Sequence, residues 1–86
     1  MLSNHINLVN EVDAEIERAK AKHPHWPDDI IHAAAIVGEE SGELIRAALN
    51  NQYFGAPVED IRTEAIHTAA TCFRLLAALD SGDTPA

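Results

Sequence analysis

The residues of this chain best equipped for chemistry are carboxylates, and they cluster. Glu39, Glu40 and Glu43 fall within the stretch Gly38-Glu39-Glu40-Ser41-Gly42-Glu43-Leu44. On a helix, residues three apart are displaced by about 60° around the axis and residues four apart by about 40°. Glu40 and Glu43 therefore share a face, and Glu39 lies on the same side as Glu43. Like charges this close repel one another, and the same helix must also bury Ile36, Val37, Leu44 and Ile45. A cation between the carboxylates removes that cost; the alternative is a solvated acidic face. A further acid, Glu64, stands three residues before His67, so these two also share a helical face. Either has an ordinary reading as well, Glu64 as a surface charge and His67 as a satisfied core histidine near Ile66 and Ala69. Carboxylates that meet from two helices inside a bundle need a cation to be tolerable. Hard oxygen ligands of this kind suit magnesium or manganese.

Three helices must position these groups. In the first, Ile6, Val9, Val12 and Ile16 recur at helical spacing, with Ser3 or Asn4 available as a cap. Its acids Glu11, Asp13, Glu15 and Glu17 precede its bases Arg18, Lys20 and Lys22, which suits the helix dipole. Most of this helix reads as an amphipathic packing element with a solvated charged face. Pro24 and Pro27 break the chain in His23-Pro24-His25-Trp26-Pro27-Asp28-Asp29. The prolines keep His23 and His25 on an irregular loop without cysteine, a poor pattern for structural zinc. Trp26 is either a hydrophobic plug at the end of the bundle or a stacking wall for a base.

Asp28 or Asp29 caps the second helix, which runs through the glutamates to Leu49. Gly38 and Gly42 each cost it about 1 kcal/mol relative to alanine; close approach of another helix, a metal shell or a ligand is one reason for such residues, and simple packing is another. The stretch 50–57 reads as the next connection, with Pro57 opening a third helix from about Val58 to Leu79. That helix carries an apolar stripe of Ile61, Ala65, Ile66, Ala69, Cys72, Phe73, Leu76 and Leu79. A short connection makes the second and third helices antiparallel neighbours, which brings Glu64 opposite Glu40 and Glu43. The expected fold is all-α: a helical hairpin plus an N-terminal helix, one domain over 1–80 with a flexible tail over 81–86.

Composition bounds the function. A chain of 86 residues buries only about 60% of its unfolded surface, and small helical domains commonly gain stability by oligomerising. A homodimer or tetramer that completes a four-helix-type bundle is expected. The net charge of −8 makes the chain a poor partner for nucleic-acid backbone or anionic membrane. A phosphate substrate has to arrive with a metal or meet one of the six Lys and Arg side chains. The single cysteine, Cys72, cannot form an internal disulfide and fits a reducing, cytoplasmic location. The start, Met1-Leu2-Ser3-Asn4-His5, lacks a basic region followed by an apolar block, so no export signal is read. No apolar run is long enough to span a bilayer.

These residues resemble the MazG-like group of all-α nucleoside triphosphate pyrophosphohydrolases, whose pattern is EExxE, a spacer, then ExxD. Glu39-Glu40-Ser41-Gly42-Glu43 matches the first half, and Glu64-Ala65-Ile66-His67 matches the second except at its last position. The tryptophan-containing loop from His23 to Trp26 and its run into the acidic motif are similar to small phage or prophage members, so the resemblance spans about Lys20 to Leu79. It implies hydrolysis of a nucleoside triphosphate to the monophosphate and pyrophosphate, in a house-cleaning role. It implies magnesium, with manganese as an alternative, held by Glu40, Glu43 and Glu64. Glu39 becomes a further acid that orients the attacking water, and His67 stands where the family has an aspartate. A histidine there offers one nitrogen in place of charged oxygens, which weakens a magnesium site and shifts preference toward manganese, cobalt or zinc. Glu59 or Asp60, one turn upstream of Glu64, is a partial substitute. Lys22, Arg74 and Trp26 are the candidates for substrate contact.

Two other classes share these features. Glu64-x-x-His67 is also the ligand spacing of ferritin-like di-metal carboxylate bundles. A non-catalytic helical interaction module that keeps the fold without the chemistry is the other.

Overall fold

The structure is a computed structural model that describes residues 2–82, so most of the expected tail, 83–86, lies outside the described residues. It is all-α. A short 3-10 turn, Leu2–His5, leads into α1 (Ile6–Lys22), followed by α2 (Ile30–Phe54) and α3 (Val58–Ser81).

Local chemistry explains most of the boundaries. α1 starts later than a Ser3 or Asn4 cap implies: the 3-10 turn moves its N-cap to His5, where no side-chain capping hydrogen bond is made among the described residues. Of the two candidate caps for α2, Asp29 serves, its carboxylate accepting the His32 N–H at 2.8 Å. The end of α2 lies later than the Asn50–Pro57 stretch suggests. Asn50 to Phe54 stay helical, and the chain turns only at Gly55, in the left-handed region at φ 71°. There Ala56 donates to the Asn50 carbonyl at 3.1 Å, a Schellman-type closure, and the Asn51 side chain donates to the Ala56 carbonyl at 2.7 Å. Only Gly55, Ala56 and Pro57 remain between the helices, which forces α2 and α3 into an antiparallel hairpin. Gly82, also in the left-handed region at φ 78°, ends α3 with its N–H on the Ala78 and Leu79 carbonyls, three residues past Leu79.

α3 is the central rod. It packs along both α2 and α1, while α1 and α2 share no comparable contact among the described residues. Glu11 meets Arg62, Glu15 meets His67, and His23 meets Arg74. Because both partners advance together, α1 runs parallel to α3.

The core is narrow. Among the described residues the buried apolar ones are Ala33, Ala47, Ala70 and Ala78, and no larger side chain is fully buried. Alanines let the α2 and α3 backbones approach closely, and that distance places the glutamates. The expected α3 stripe divides: Ile61, Ile66, Ala69 and Cys72 are half-buried, whereas Phe73, Leu76 and Leu79 face outward. Beside Phe73 and Ala69, the flank of α1 formed by Ile6, Val9, Val12 and Ile16 borders an open apolar groove of about 650 Å³. Gly38 and Gly42 have nothing within 4 Å of where a Cβ would sit, so neither exists to admit a neighbour from this chain. No described helix is long and apolar enough to cross a membrane.

Candidate metal centre

The hairpin register sets Glu40 of α2 against Glu64 and His67 of α3. One ligand atom from each of the three lies within 4.8 Å of the other two, all at half-buried positions. His67 is the hub. Its Nδ1 is 3.7 Å from Glu64 Oε1 and 4.0 Å from Glu40 Oε2. These separations are too long for hydrogen bonds and close to those of ligands that share an ion. Two ligands on one magnesium-sized ion, each at about 2.1 Å, stand at most about 4.2 Å apart. Neighbouring ligands on such an ion stand about 3 Å apart, so a closure of about an ångström brings the trio to that geometry, within the reach of side-chain rotation at such positions.

Glu15 of α1 is a fourth member that the sequence reading left on the solvated face. Its side chain is only 13% exposed, and its Oε2 lies 3.6 Å from His67 Nε2. Arg18 grips the same carboxylate from one turn along, through Nε at 2.7 Å and Nη2 at 2.5 Å. The Arg18 hydrogen bonds hold the Glu15 carboxyl below its ordinary value of 4.5. Burial opposes that shift, and the charges of His67 and Arg18 add to it. Two signals in the sequence point here: Glu15 adjoins Ile16 on the rim of the apolar stripe, and it stands at i,i+3 from Arg18.

The remaining candidates divide. Glu43 is not in the trio; its carboxylate is half exposed and pairs with Arg46 at 3.5 Å. Antiparallel packing thus brings Glu64 to Glu40 and not to Glu43. Glu59 and Asp60 sit exposed in the first turn of α3, where they complement the helix dipole. Glu39 is exposed and lines a groove of about 730 Å³ together with Glu40, His67, Trp26, Lys22 and Arg74. Acids and bases line the same groove: Arg18 is paired with Glu15 beside His67, Arg74 lies over Trp26, and Lys22, His25 and His32 are also on its walls. Thr71 lines it too, but its hydroxyl donates to the His67 carbonyl at 2.8 Å.

Trp26 is half-buried, and the Arg74 guanidinium lies over its ring, 4.9 Å from the centroid. Arg74 Nη2 also donates to the His23 carbonyl at 3.0 Å. Arg74 thereby ties the loop to α3 within its own chain, and it occupies one face of the only tryptophan. The indole Nε1 is buried without a hydrogen-bond partner.

The donor set fits a divalent cation. Two carboxylates cancel its charge, and the imidazole nitrogen tilts preference from magnesium toward manganese or zinc. No protein-family model, curated protein or solved structure matches the chain, so its function is argued from this geometry.

Proposed function

We propose that the chain is a divalent-metal-dependent nucleoside triphosphate pyrophosphohydrolase, with Glu40, Glu64 and His67 as the metal-holding set. The observation that carries this reading is the convergence of the three from two helices, with Glu40 and His67 on the wall of a groove that Lys22, Arg74 and Trp26 also line. An acidic chain meets a polyanionic substrate at only a few places, and this groove gathers Arg18, Lys22 and Arg74 at one of them. A divalent ion bound at the trio supplies charge neutralisation for the phosphates and a water of lowered pKa.

The chain's own residues do the rest. Lys22 and the free edge of Arg74 draw the triphosphate along the groove. Glu39, exposed on the same wall, accepts a proton from the attacking water. Trp26 offers the base whichever ring face Arg74 leaves open. Glu43, the remaining acid of the EExxE pattern, has to leave Arg46 before it can join.

A second copy of the chain completes the molecule in this reading, as a dimer or a dimer of dimers. A folded monomer of 9.3 kDa exposes about 5,000 Å², whereas this chain exposes 6079 Å². The excess is of the order of the 800 Å² or so that each partner buries in a standard interface.

The test is a screen of nucleoside triphosphates with magnesium and with manganese, reading pyrophosphate release. Turnover that is stronger with manganese supports the reading, and absence of pyrophosphate with every substrate and both metals removes it.

One observation favours a second reading. Glu64-x-x-His67 with Glu40 beside it is half of the ligand set that di-metal carboxylate bundles build from facing helices, and a symmetric dimer would supply the second Glu-x-x-His. Oxygen-dependent absorption changes in iron-loaded protein, without pyrophosphate release, select that reading instead.

A further inference from the structure

The two nitrogens of His67 face different helices. Nδ1 looks into the seam between α2 and α3, toward Glu64 and Glu40. Nε2 looks at α1, 3.6 Å from Glu15 Oε2. A neutral imidazole has one N–H and one lone pair, and the hydrogen bond made by one nitrogen decides which of the two is free to bind a metal. Metal-bound histidines almost always donate their other N–H to a carboxylate, carbonyl or water, which fixes the tautomer and the ring plane.

We propose that Glu15, held by Arg18, is the positioning residue for His67: its Oε2 stands 3.6 Å from Nε2, just beyond hydrogen-bond range, and a small turn of the ring lets it accept the Nε2–H and so leaves the Nδ1 lone pair for the ion shared with Glu40 and Glu64. This inference rests on the metal-centre reading above. The geometry of Glu15 suits this role better than that of a fourth ligand. Both nitrogens of the Arg18 fork engage its carboxylate, and the Oε2 that faces His67 is also the one that accepts from Arg18 Nη2. A carboxylate pinned this way from α1 cannot swing into the seam, yet it keeps a lone pair for the ring. The arrangement also explains how a histidine can stand where a third anionic ligand is expected. Its far side faces a carboxylate, which fixes the ring plane and the tautomer.

The test uses the full chain with Glu15→Leu and Glu15→Gln, each first compared with the unsubstituted protein by circular dichroism and thermal melting. Manganese binding is measured by calorimetry. Leucine, similar in size but unable to accept a hydrogen bond, is expected to weaken manganese binding 10- to 100-fold. Glutamine, whose amide oxygen still accepts, is expected to restore most of that loss. In parallel, long-range proton–nitrogen spectra of protein carrying one equivalent of zinc should place the His67 proton on Nε2, with a His67→Asn sample to assign the signal. Equal manganese affinity in both variants and the unsubstituted chain, or a proton on Nδ1, overturns the role of Glu15 and leaves the metal centre standing. No manganese binding by the unsubstituted chain overturns the metal-centre reading, and this inference falls with it.

Discussion

Glu40 and Glu43 are the same residue type, one helical turn apart and inside one motif, yet they meet different surroundings. Glu40 faces Glu64 and His67 across the hairpin seam, whereas Glu43 faces Arg46. About 60° of rotation separates them, and a seam built from alanines is narrow enough for that angle to matter. Glu40→Ala is therefore expected to lower nucleotide turnover by at least about 100-fold, the scale of losing a transition-state electrostatic contact, while Glu43→Ala costs clearly less. Steady-state pyrophosphate assays on both variants check this; equal losses would place Glu43 in the working site after all. The Arg18–Glu15 pair carries a second prediction at this scale. Its carboxyl is held below 4.5 in the folded chain, so the stability it contributes is present above that value and is lost as the pH falls through the lowered one. Arg18→Met should therefore be less stable than the unsubstituted chain at neutral pH, with the gap closing in acid. Urea melts between pH 3 and 7 measure it, and a gap that widens toward pH 3 would contradict the assigned cause.

At the scale of the element, most of the pattern was legible and the joins between elements were not. Hydrophobic spacing, the two prolines around Trp26 and the capping aspartate mark three helices, and a hairpin between the last two follows from Pro57. Local propensity could not reveal that Asn50 to Phe54 continue the helix. Asparagine is a weak helix former, but the Gly55 turn needs the Asn50 and Asn51 carbonyls as acceptors, which holds that last turn in place. Glu15 was missed because a helical face gives angles within one helix and says nothing of the parallel register between α1 and α3. Gly38 and Gly42 show the same limit: beside a carboxylate cluster they suggest close approach, and nothing in this chain comes near them. Gly38→Ala should therefore stabilise an isolated chain by about 1 kcal/mol through helix propensity. Chemical denaturation at low concentration tests this, and a loss of stability would show that a helix from another copy rests on that face. Gly55→Ala should do the opposite, because a Cβ at positive φ costs about 1–2 kcal/mol and the turn that orders the hairpin depends on it.

The whole molecule is a thin hairpin with a third rod alongside, 42 Å in its longest dimension, and its interior is made of alanine. Phe54 is 83% exposed and Ile31 76%, and Phe73 and Leu76 stand about half exposed on the same rod that carries the metal centre. A chain that exposes this many large apolar residues and fully buries only alanines should not persist alone at working concentrations. Sedimentation or light scattering is expected to give a mass of two or four chains. Phe73→Glu combined with Leu76→Glu should shift the mass toward 9.3 kDa, whereas an unsubstituted chain that stays monomeric at high concentration would remove the assembly from the proposal.

Whatever the substrate and however many copies assemble, the function proposed for this chain depends on Glu40, Glu64 and His67 acting together on one divalent ion. Calorimetric titration of manganese into the unsubstituted chain and into Glu64→Ala is the most direct test. One ion per chain in the former, with binding lost in the latter, is the expected result. Heats that are absent from both, or the same in both, would mean that the three side chains merely stand near one another.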